Sequence, residues 1–295
     1  IQNNTICSLI LIAEQEKLFQ EKGIEVEVIR KPSGKLALQS MLSGDADIAA
    51  TADMPITSNS FKRSDFAVFA TIASTDKGAW IVARRDRGIE KPEDLKGKVV
   101  ATQKNSAVHF FLSMFLAANN IAEEDLEIRY MKAVDLPEAL ASGEIDAFSM
   151  RNPFISQAKD KLGDRAIEFF GVNVYRQTFN LVAQKDTLAE NKNGIRRLLE
   201  ALVAAENLVA TDEARAKQIA ATGLGEGRES ELFDDWKRYT FAVSLDQSIF
   251  PTLENQARWA IANGIVDAQT VPNYLEFMEI KPLRDVRPEA VTIIY

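Results

Sequence analysis

Two eight-residue stretches of the sequence resemble each other: LSGDADIA at positions 42–49 and ASGEIDAF at positions 141–148. In each stretch a helix end is followed by a glycine, an acidic residue and an apolar run typical of a buried strand. Patterns of strand, loop and helix precede both stretches. This internal repeat therefore supports two similar α/β units in one chain.

Helical and strand patterns alternate along the chain as far as residue 183. Apolar or alternating runs predict strands at 24–28, 48–51, 66–73, 79–83, 99–102, 126–131, 145–150 and 179–183. Helical patterns include residues 7–22 and 107–118. Such alternation is typical of largely parallel, doubly wound sheets. After residue 193 nearly all of the chain carries helical patterns, at 193–209, 211–222, 228–240, 249–262 and 270–277.

Composition excludes several classes of protein. The chain has 295 residues, with 35 Lys and Arg against 43 Asp and Glu, and a formal net charge of −8. These values are ordinary for a globular protein, and the length favours two lobes. The acidic balance argues against nucleic acid as a partner, because phosphate binding needs a basic face. No apolar run approaches the roughly 20 residues that a membrane helix needs.

The chain contains a single cysteine, Cys7, and a single histidine, His109. An intrachain disulfide and a structural zinc site of the Cys/His type are therefore excluded, and we expect no metal or cofactor. Because low cysteine content suits both the cytosol and a bacterial periplasm, it does not decide the compartment. The sequence starts at Ile1 instead of Met, so we expect that a leader has been removed or lies outside it.

Four stretches, in this order, resemble one protein family: EKGIEV at 21–26, LSGDADIA at 42–49, KPEDLKGKVVA at 91–101 and LASGEIDA at 140–147. They are similar to the periplasmic solute-binding proteins of ABC importers, in the sulfonate/nitrate/taurine-type subgroup of the type II two-lobed fold. The resemblance implies an α/β fold of two doubly wound lobes joined by two hinge strands. It also implies a helical C-terminal extension packed on lobe one, and a ligand held in the cleft between the lobes.

Mapped onto this chain, the resemblance places residues 1–77 and 183–295 in lobe one and residues 78–182 in lobe two. The hinge crossings lie near 76–82 and 176–184. The first strand of such a fold precedes the first helix, and only residues 1–5 remain for it here. We therefore expect a few residues to be missing from the amino terminus. The resemblance further implies a periplasmic or otherwise extracytoplasmic monomer that passes a small molecule to an ABC permease with its ATPase.

Ligands of open α/β sheets bind where strands end and helices begin, because helix N-termini present unpaired N–H groups and a partial positive charge. Such termini suit sulfonate, nitrate or carboxylate groups without requiring a basic protein. Four loops of this kind are candidates here, at residues 4–8, 31–34, 51–55 and 103–107.

The candidate residues of the first three loops are Thr5, Ser33, Gly34, Thr51 and Asp53. Ser33 and Gly34 either contact a ligand oxygen or form a solvated turn that caps a helix. Asp53 either caps the following helix or faces the ligand, in which case it would favour a ligand that carries an amine.

The candidate residues of the fourth loop are Asn105, Ser106 and Ala107. They open a strong helix, which makes this loop our first choice for anion contact. Arg151 lies between a strand and a helix, so its guanidinium either binds an anion in a bidentate manner or forms a salt bridge with a carboxylate. Ser74 and Tyr175 lie where the chain crosses between lobes, and either line the cleft or satisfy backbone groups of the hinge.

The leading hypothesis is an extracytoplasmic binding protein that captures a small organic or inorganic anion, sulfonate-, taurine- or nitrate-like, and closes around it. A pyrimidine or thiamine precursor is the alternative ligand. A second hypothesis is an enzyme like thiamine-pyrimidine synthase, which depends on a cysteine-rich segment and histidine chemistry that Cys7 and His109 do not provide. Because G-x-S-x-G and G-x-x-x-x-G-K-[ST] motifs are also missing, we predict no catalysis. A third hypothesis is a sensor that uses the same fold without transport.

Overall fold

A computed structural model describes residues 1–171 and 174–294, apart from the side chain of Glu231. The chain forms two compact units: unit 1 comprises Ile1–Thr75 and Gln177–Tyr295, and unit 2 comprises Asp76–Arg176. Residues 177–182, which the sequence analysis assigned to the second lobe, thus belong to unit 1. They do so because the strand Gln177–Gln184 pairs with two strands of that unit.

The described residues form strands and helices that we number along the chain. The strands are β1 Ile48–Ala52, β2 Phe66–Thr75, β3 Trp80–Arg84, β4 Val99–Thr102, β5 Glu127–Tyr130, β6 Ala147–Met150, β7 Ala166–Phe170, β8 Gln177–Gln184 and β9 Thr240–Ser244. The α-helices are α1 Ser8–Gln15, α2 Leu18–Glu21, α3 Gly34–Leu42, α4 Asp53–Ser60, α5 Ala107–Ala118, α6 Leu136–Ser142, α7 Phe154–Leu162, α8 Lys185–Glu190, α9 Lys192–Thr211, α10 Glu213–Leu224, α11 Glu229–Trp236, α12 Ile249–Ala262 and α13 Lys281–Val286. The predicted α/β class and the helical C-terminal portion are confirmed.

The described sheet of unit 1 has the strand order β1-β8-β2-β9. Each of its pairs is antiparallel, so the prediction of a largely parallel sheet is wrong for this unit. The reason lies in the connectivity, because the chain leaves unit 1 at the end of β2 and returns at the start of β8. These two strands therefore run in opposite directions. Both are almost entirely buried, and helices α1, α3 and α9 contribute fully buried side chains such as Leu11, Leu38 and Leu199 to the core beside them.

Several predicted elements of unit 1 differ from the structure. The helix predicted at 7–22 is interrupted at Lys17, which has a φ of 58°. The helix predicted at 228–240 ends at Trp236, and the predicted helix at 270–277 is a 3-10 turn, Tyr274–Phe277. The strand predicted at 24–28 pairs with no strand of the described residues, although its side chains alternate between half-buried and exposed.

The described sheet of unit 2 has the order β5-β4-β6-β3-β7. β4 runs parallel to β5 and β6, whereas β3 runs antiparallel to β6 and β7. The carboxyl ends of β4, β5 and β6 therefore lie at one edge of the sheet, where α5 follows β4 and α7 follows β6. We call this the carboxyl edge of unit 2. In neither unit does a described helix have the length and apolar character needed to cross a membrane.

Candidate functional site

The loop after β4 brings a helix N-terminus to the carboxyl edge of unit 2. Ser106 caps α5, because its Oγ accepts a hydrogen bond from the backbone N–H of His109 and donates one to the carbonyl of Gln103 at 2.6 Å. Ala107 is half-buried and Val108 is buried, and the backbone N–H groups of both make no hydrogen bond within the described residues. The loop therefore presents two free donors at the positive end of a twelve-residue helix.

Asn105 and His109 hold the shape of this loop. Asn105 has a φ of 56°, and its backbone N–H donates to Nδ1 of His109 at 3.3 Å. The Nε2 atom of the imidazole lies 3.5 Å from the hydroxyl of Tyr130, and burial lowers the pKa of His109. The Nζ atom of Lys104 lies 5.0 Å from the centre of the Tyr130 ring. The loop thus combines a neutral imidazole that accepts a backbone hydrogen bond with a nearby ammonium group.

Two further polar groups lie at the same carboxyl edge. Thr102 ends β4 and is fully buried, and its Oγ1 has no hydrogen-bond partner among the described residues. Arg151 follows β6 directly and is half-buried, and in the described parts of the chain its guanidinium makes neither an ion pair nor a hydrogen bond. Because β4 and β6 are parallel neighbours, with Ala101 opposite Phe148, Thr102 and Arg151 lie at the carboxyl ends of adjacent strands. A buried hydroxyl without a partner is unusual in a folded protein, and a guanidinium at the same edge of the sheet is a group that can bind an anion in a bidentate manner.

Unit 1 also contains buried polar atoms that make no hydrogen bond within the described residues. Thr5 and Thr51 are 1% and 0% exposed, and within the described residues neither Oγ1 makes a hydrogen bond. The side-chain oxygen of Asn4 is also buried and unpaired there. Two of these residues, Thr5 and Thr51, were predicted as ligand contacts, and that role stays a prediction.

The N-terminus of α3 packs closely against Thr51. A Cβ atom on Gly34 would lie 3.1 Å from Oγ1 of Thr51, which is closer than an ordinary van der Waals contact, so a side chain at this position would require Thr51 to shift. The backbone N–H of Gly34 donates to the side-chain oxygen of Gln2 at 3.2 Å. Ser33 accepts a hydrogen bond from the backbone N–H of Leu36, which is the helix-capping alternative named for it.

Asp53 is a fully buried residue whose carboxylate connects three elements of unit 1. Its Oδ1 accepts from the backbone N–H of Met54 at 2.8 Å and from the side-chain amide of Gln256 at 3.0 Å. Its Oδ2 accepts from the backbone N–H of Thr178 at 2.9 Å. The carboxylate thus joins the start of α4 to β8 and α12. These contacts favour the structural alternative for Asp53 over a contact with an amine.

Ser74 and Tyr175 lie within the packed interior of their units. Ser74 is buried in β2, opposite Thr178 of β8 and Thr240 of β9. Tyr175 is 8% exposed, and its ring packs edge-to-face on Phe110 with 5.1 Å between the centroids. Neither side chain is among the buried polar groups without partners that are described above for the two units. The ligand-binding roles of Ser74 and Tyr175 stay predictions.

Sequence reasoning missed Thr102 and Gln256. Thr102 closes an apolar strand with a hydroxyl just before the loop at 103–107, and that position was the signal available for it. Gln256 gives no such signal, because its partners Asp53 and Thr57 are distant in sequence. Among the described residues no group of His, Cys, Asp or Glu side chains is arranged to hold a metal ion.

Comparisons with known proteins identify relatives of this chain. A putative aliphatic sulfonates-binding protein of Escherichia coli (strain K12) is 24% identical over 161 residues, which are 54% of this chain and 50% of that protein. The chain spans about half the length of the curated relatives it matches.

Solved structures show the same fold. The periplasmic aliphatic sulphonate binding protein SsuA from Escherichia coli has a TM-score of 0.78 at 18% identity, over 94% of this chain and 90% of that one. The periplasmic nitrate-binding protein NrtA from Synechocystis PCC 6803 has a TM-score of 0.68 at 13% identity, over 97% of this chain and 86% of that one. These likenesses confirm the periplasmic-binding-protein fold expected from the sequence. Since residues 4–216, more than half of the sequence, match one family, the chain belongs to the NMT1/THI5-like family.

Proposed function

We propose that this protein is an extracytoplasmic solute-binding protein that captures a small anion and delivers it to an ABC importer. One observation carries the proposal. The carboxyl edge of unit 2 combines the guanidinium of Arg151, the buried hydroxyl of Thr102 and the backbone N–H groups of Ala107 and Val108, and none of these groups has a hydrogen-bond partner among the described residues. A guanidinium and a helix N-terminus favour a compact anion through charge and through directed hydrogen bonds.

A sulfonate is the ligand class that we favour. Several relatives are named as sulfonate-binding proteins, and one related fold is a nitrate-binding protein. A sulfonate carries three equivalent oxygens, which suits a site with donors from a guanidinium, a hydroxyl and backbone N–H groups. Delivery to a permease with its ATPase, a monomeric state and a periplasmic location are parts of the same proposal.

We propose a binding function without catalysis. The relatives compared above are named as binding proteins. The one thiol of the chain, Cys7, is fully buried, and burial raises its pKa to about 12. Because the thiolate is the reactive form, this thiol is not a nucleophile near neutral pH. The buried His109 holds the loop at Asn105 through Nδ1, which is a positioning role.

Isothermal titration calorimetry tests the ligand class. The purified protein is titrated with ethanesulfonate, taurine, sodium nitrate and an aminopyrimidine. We expect saturable binding of at least one sulfonate and no binding of the pyrimidine. Binding of the pyrimidine alone would support the alternative ligand, and a folded protein that binds none of the four would contradict the proposed function.

A matched pair of arginine variants tests the site. Arg151→Gln should weaken binding of the preferred anion by about 10- to 100-fold, because a hydrogen bond to a charged group contributes about 1.5–3 kcal/mol. Arg85→Gln removes the same charge from unit 2, but Arg85 follows β3 at the opposite edge of the sheet and pairs there with Glu90. It should leave the affinity within about twofold, since surface ion pairs contribute little. Equal losses in the two variants would show that Arg151 acts only through net charge.

A further inference from the structure

The carboxyl edge of unit 2 has more positive charge than its carboxylates balance. Each segment that follows one of the strands β4, β5 and β6 contains one cation: Lys104, Lys132 and Arg151. Within the described residues none of these three side chains makes an ion pair. The same segments, residues 103–106, 131–135 and 151–153, contain one carboxylate, that of Asp135.

At the opposite edge of the same sheet, basic and acidic side chains are mixed and pair with each other. Lys96 lies before β4, and its Nζ atom is 3.1 Å from a carboxylate oxygen of Asp125. Arg85 pairs with Glu90 just after β3. At the carboxyl edge, the chain that enters β3 adds one charge of each sign at residues 76–77 and so leaves the excess unchanged. The candidate site therefore lies in a region of positive charge on a protein whose net charge is −8.

Aromatic contacts place Lys104 beside the start of α5. Its Nζ atom lies 5.0 Å from the centre of the Tyr130 ring, a distance typical of a cation–π contact. The same ring packs edge-on against the imidazole of His109, with 5.2 Å between the two ring centroids. Since His109 lies in the first turn of α5, the ammonium group of Lys104 lies near the N-terminus of this helix. Tyr130 and Lys104 are both exposed, so a ligand can reach them.

The buried hydroxyl of Thr102 lies on the same face of the sheet as Tyr130. The two residues are opposite each other in the ladder between β4 and β5, and opposite residues of a ladder share a face. Arg151 follows β6, which is the neighbour of β4 on its other side. Because adjacent strands lie about 4.8 Å apart, β5 and β6 end about 10 Å apart, with Thr102 between them. The edge thus has two cationic regions, one at Arg151 and the other at Lys104 and Lys132.

We propose that the ligand of this site contains two anionic groups, a sulfonate and a second acid such as a carboxylate, joined by a short spacer. The inference rests on the proposed function, because it takes the sulfonate to lie at Arg151, Thr102 and the start of α5. The second acid then lies on the β5 side, where the ammonium groups of Lys104 and Lys132 attract it. An ammonium group on the ligand, as in taurine, would meet two like charges there.

Three ligands that differ only at one end test the proposal. Propane-1-sulfonate, taurine and 3-sulfopropanoate share a sulfonate and a two-carbon spacer, and they end in a methyl, an ammonium and a carboxylate group. Each is titrated calorimetrically into the unchanged protein and into the variants Lys104→Gln, Lys104→Arg and Lys91→Gln. The last variant is the matched control, because Lys91 is an exposed cation of unit 2 that lies before β4, at the opposite edge of the sheet.

We expect 3-sulfopropanoate to bind at least about fivefold more tightly than propane-1-sulfonate, and taurine to bind most weakly of the three. Lys104→Gln should reduce the preference for 3-sulfopropanoate by at least about threefold and leave the affinity for propane-1-sulfonate within about twofold. Lys104→Arg keeps the charge and should keep the preference, because a guanidinium also binds a carboxylate. Lys91→Gln should leave the preference unchanged.

Two kinds of result would overturn the inference and leave the proposed function standing. In the first, propane-1-sulfonate binds as tightly as 3-sulfopropanoate, or taurine binds most tightly. In the second, the preference is unchanged in Lys104→Gln, or Lys91→Gln reduces it equally, because it would then not depend on the carboxyl edge. If the folded protein bound none of the three sulfonates, the proposed function itself would be contradicted.

Discussion

Removing the Asp53 carboxylate should destabilise the protein strongly. In Asp53→Ala the backbone N–H of Thr178 and the side-chain amide of Gln256 lose their acceptor inside a fully buried site. Each buried donor left without a partner costs about 1–3 kcal/mol, so the expected loss in the free energy of unfolding is about 2–6 kcal/mol. Asp53→Asn keeps one oxygen but turns an NH₂ group towards one of these donors. We expect a loss of about 1–3 kcal/mol for it.

Urea denaturation followed by circular dichroism measures these losses. The matched control is Asp47→Asn, because Asp47 is exposed and precedes β1 in the same unit. Its effect should stay within about 0.5 kcal/mol. The structural role of Asp53 also predicts that folded Asp53→Asn binds the preferred anion almost as the unchanged protein does. If Asp53→Asn unfolded like the unchanged protein and lost its ligand affinity instead, Asp53 would be a ligand contact.

Two further predictions concern the helix N-termini of the two units. Burial lowers the pKa of His109 below the ordinary 6.5, so between the two pKa values the unfolded chain binds a proton and the folded protein does not. The free energy of unfolding should therefore fall as the pH drops from 6.5 through the lowered pKa. The imidazole proton signal of this single histidine should titrate below 6.5 in an NMR experiment, and titration at or above 6.5 would contradict the burial and the hydrogen bond from Asn105. Gly34→Ala would place a Cβ 3.1 Å from Oγ1 and 3.2 Å from Cα of Thr51, so it should destabilise by about 1–3 kcal/mol in urea denaturation. Gly194→Ala is the control, because Gly194 lies in α9 and nothing lies within 4 Å of the added Cβ. It should stabilise the protein by about 0.5–1 kcal/mol. If both substitutions changed the free energy of unfolding in the same direction, the crowding at Gly34 would be refuted.

Elements with a strong local signal were predictable from the sequence. The apolar run of β4 and the helix α5 have the expected bounds, and Ser106 caps α5 as a serine before an apolar run indicates. β9 was missed, because its five residues lie next to long helical patterns and pair with β2, more than 160 positions away. Pairing between distant segments leaves little trace in either segment alone.

In the candidate site, too, the features that depend on neighbouring residues were predictable and those that depend on distant residues were not. Caps such as Ser33 depend on neighbours within three residues, so the sequence indicated them. That Thr102 and Arg151 have no hydrogen-bond partner among the described residues depends on the positions of all the other segments of unit 2, which neither residue's local sequence reveals. For Asp53 the distant segments supply partners instead. The sequence allowed its carboxylate oxygens to contact a ligand, but in the structure they accept hydrogen bonds from Thr178 and Gln256.

The repeated stretch shows how far a local motif determines structure. Gly44 and Gly143 have φ values of 86° and 83°, and after each the next N–H donates to a carbonyl five residues earlier, from Asp45 to Ser40 and from Glu144 to Ala139. This is the Schellman ending of a helix, and a Ser-Gly pair followed by an acidic residue makes it in both units. The strands that follow nevertheless differ, because β6 is an inner strand parallel to β4, whereas within the described residues β1 lies at the edge of its sheet and pairs only with β8. A local motif therefore determines the turn, while the available neighbours determine the pairing.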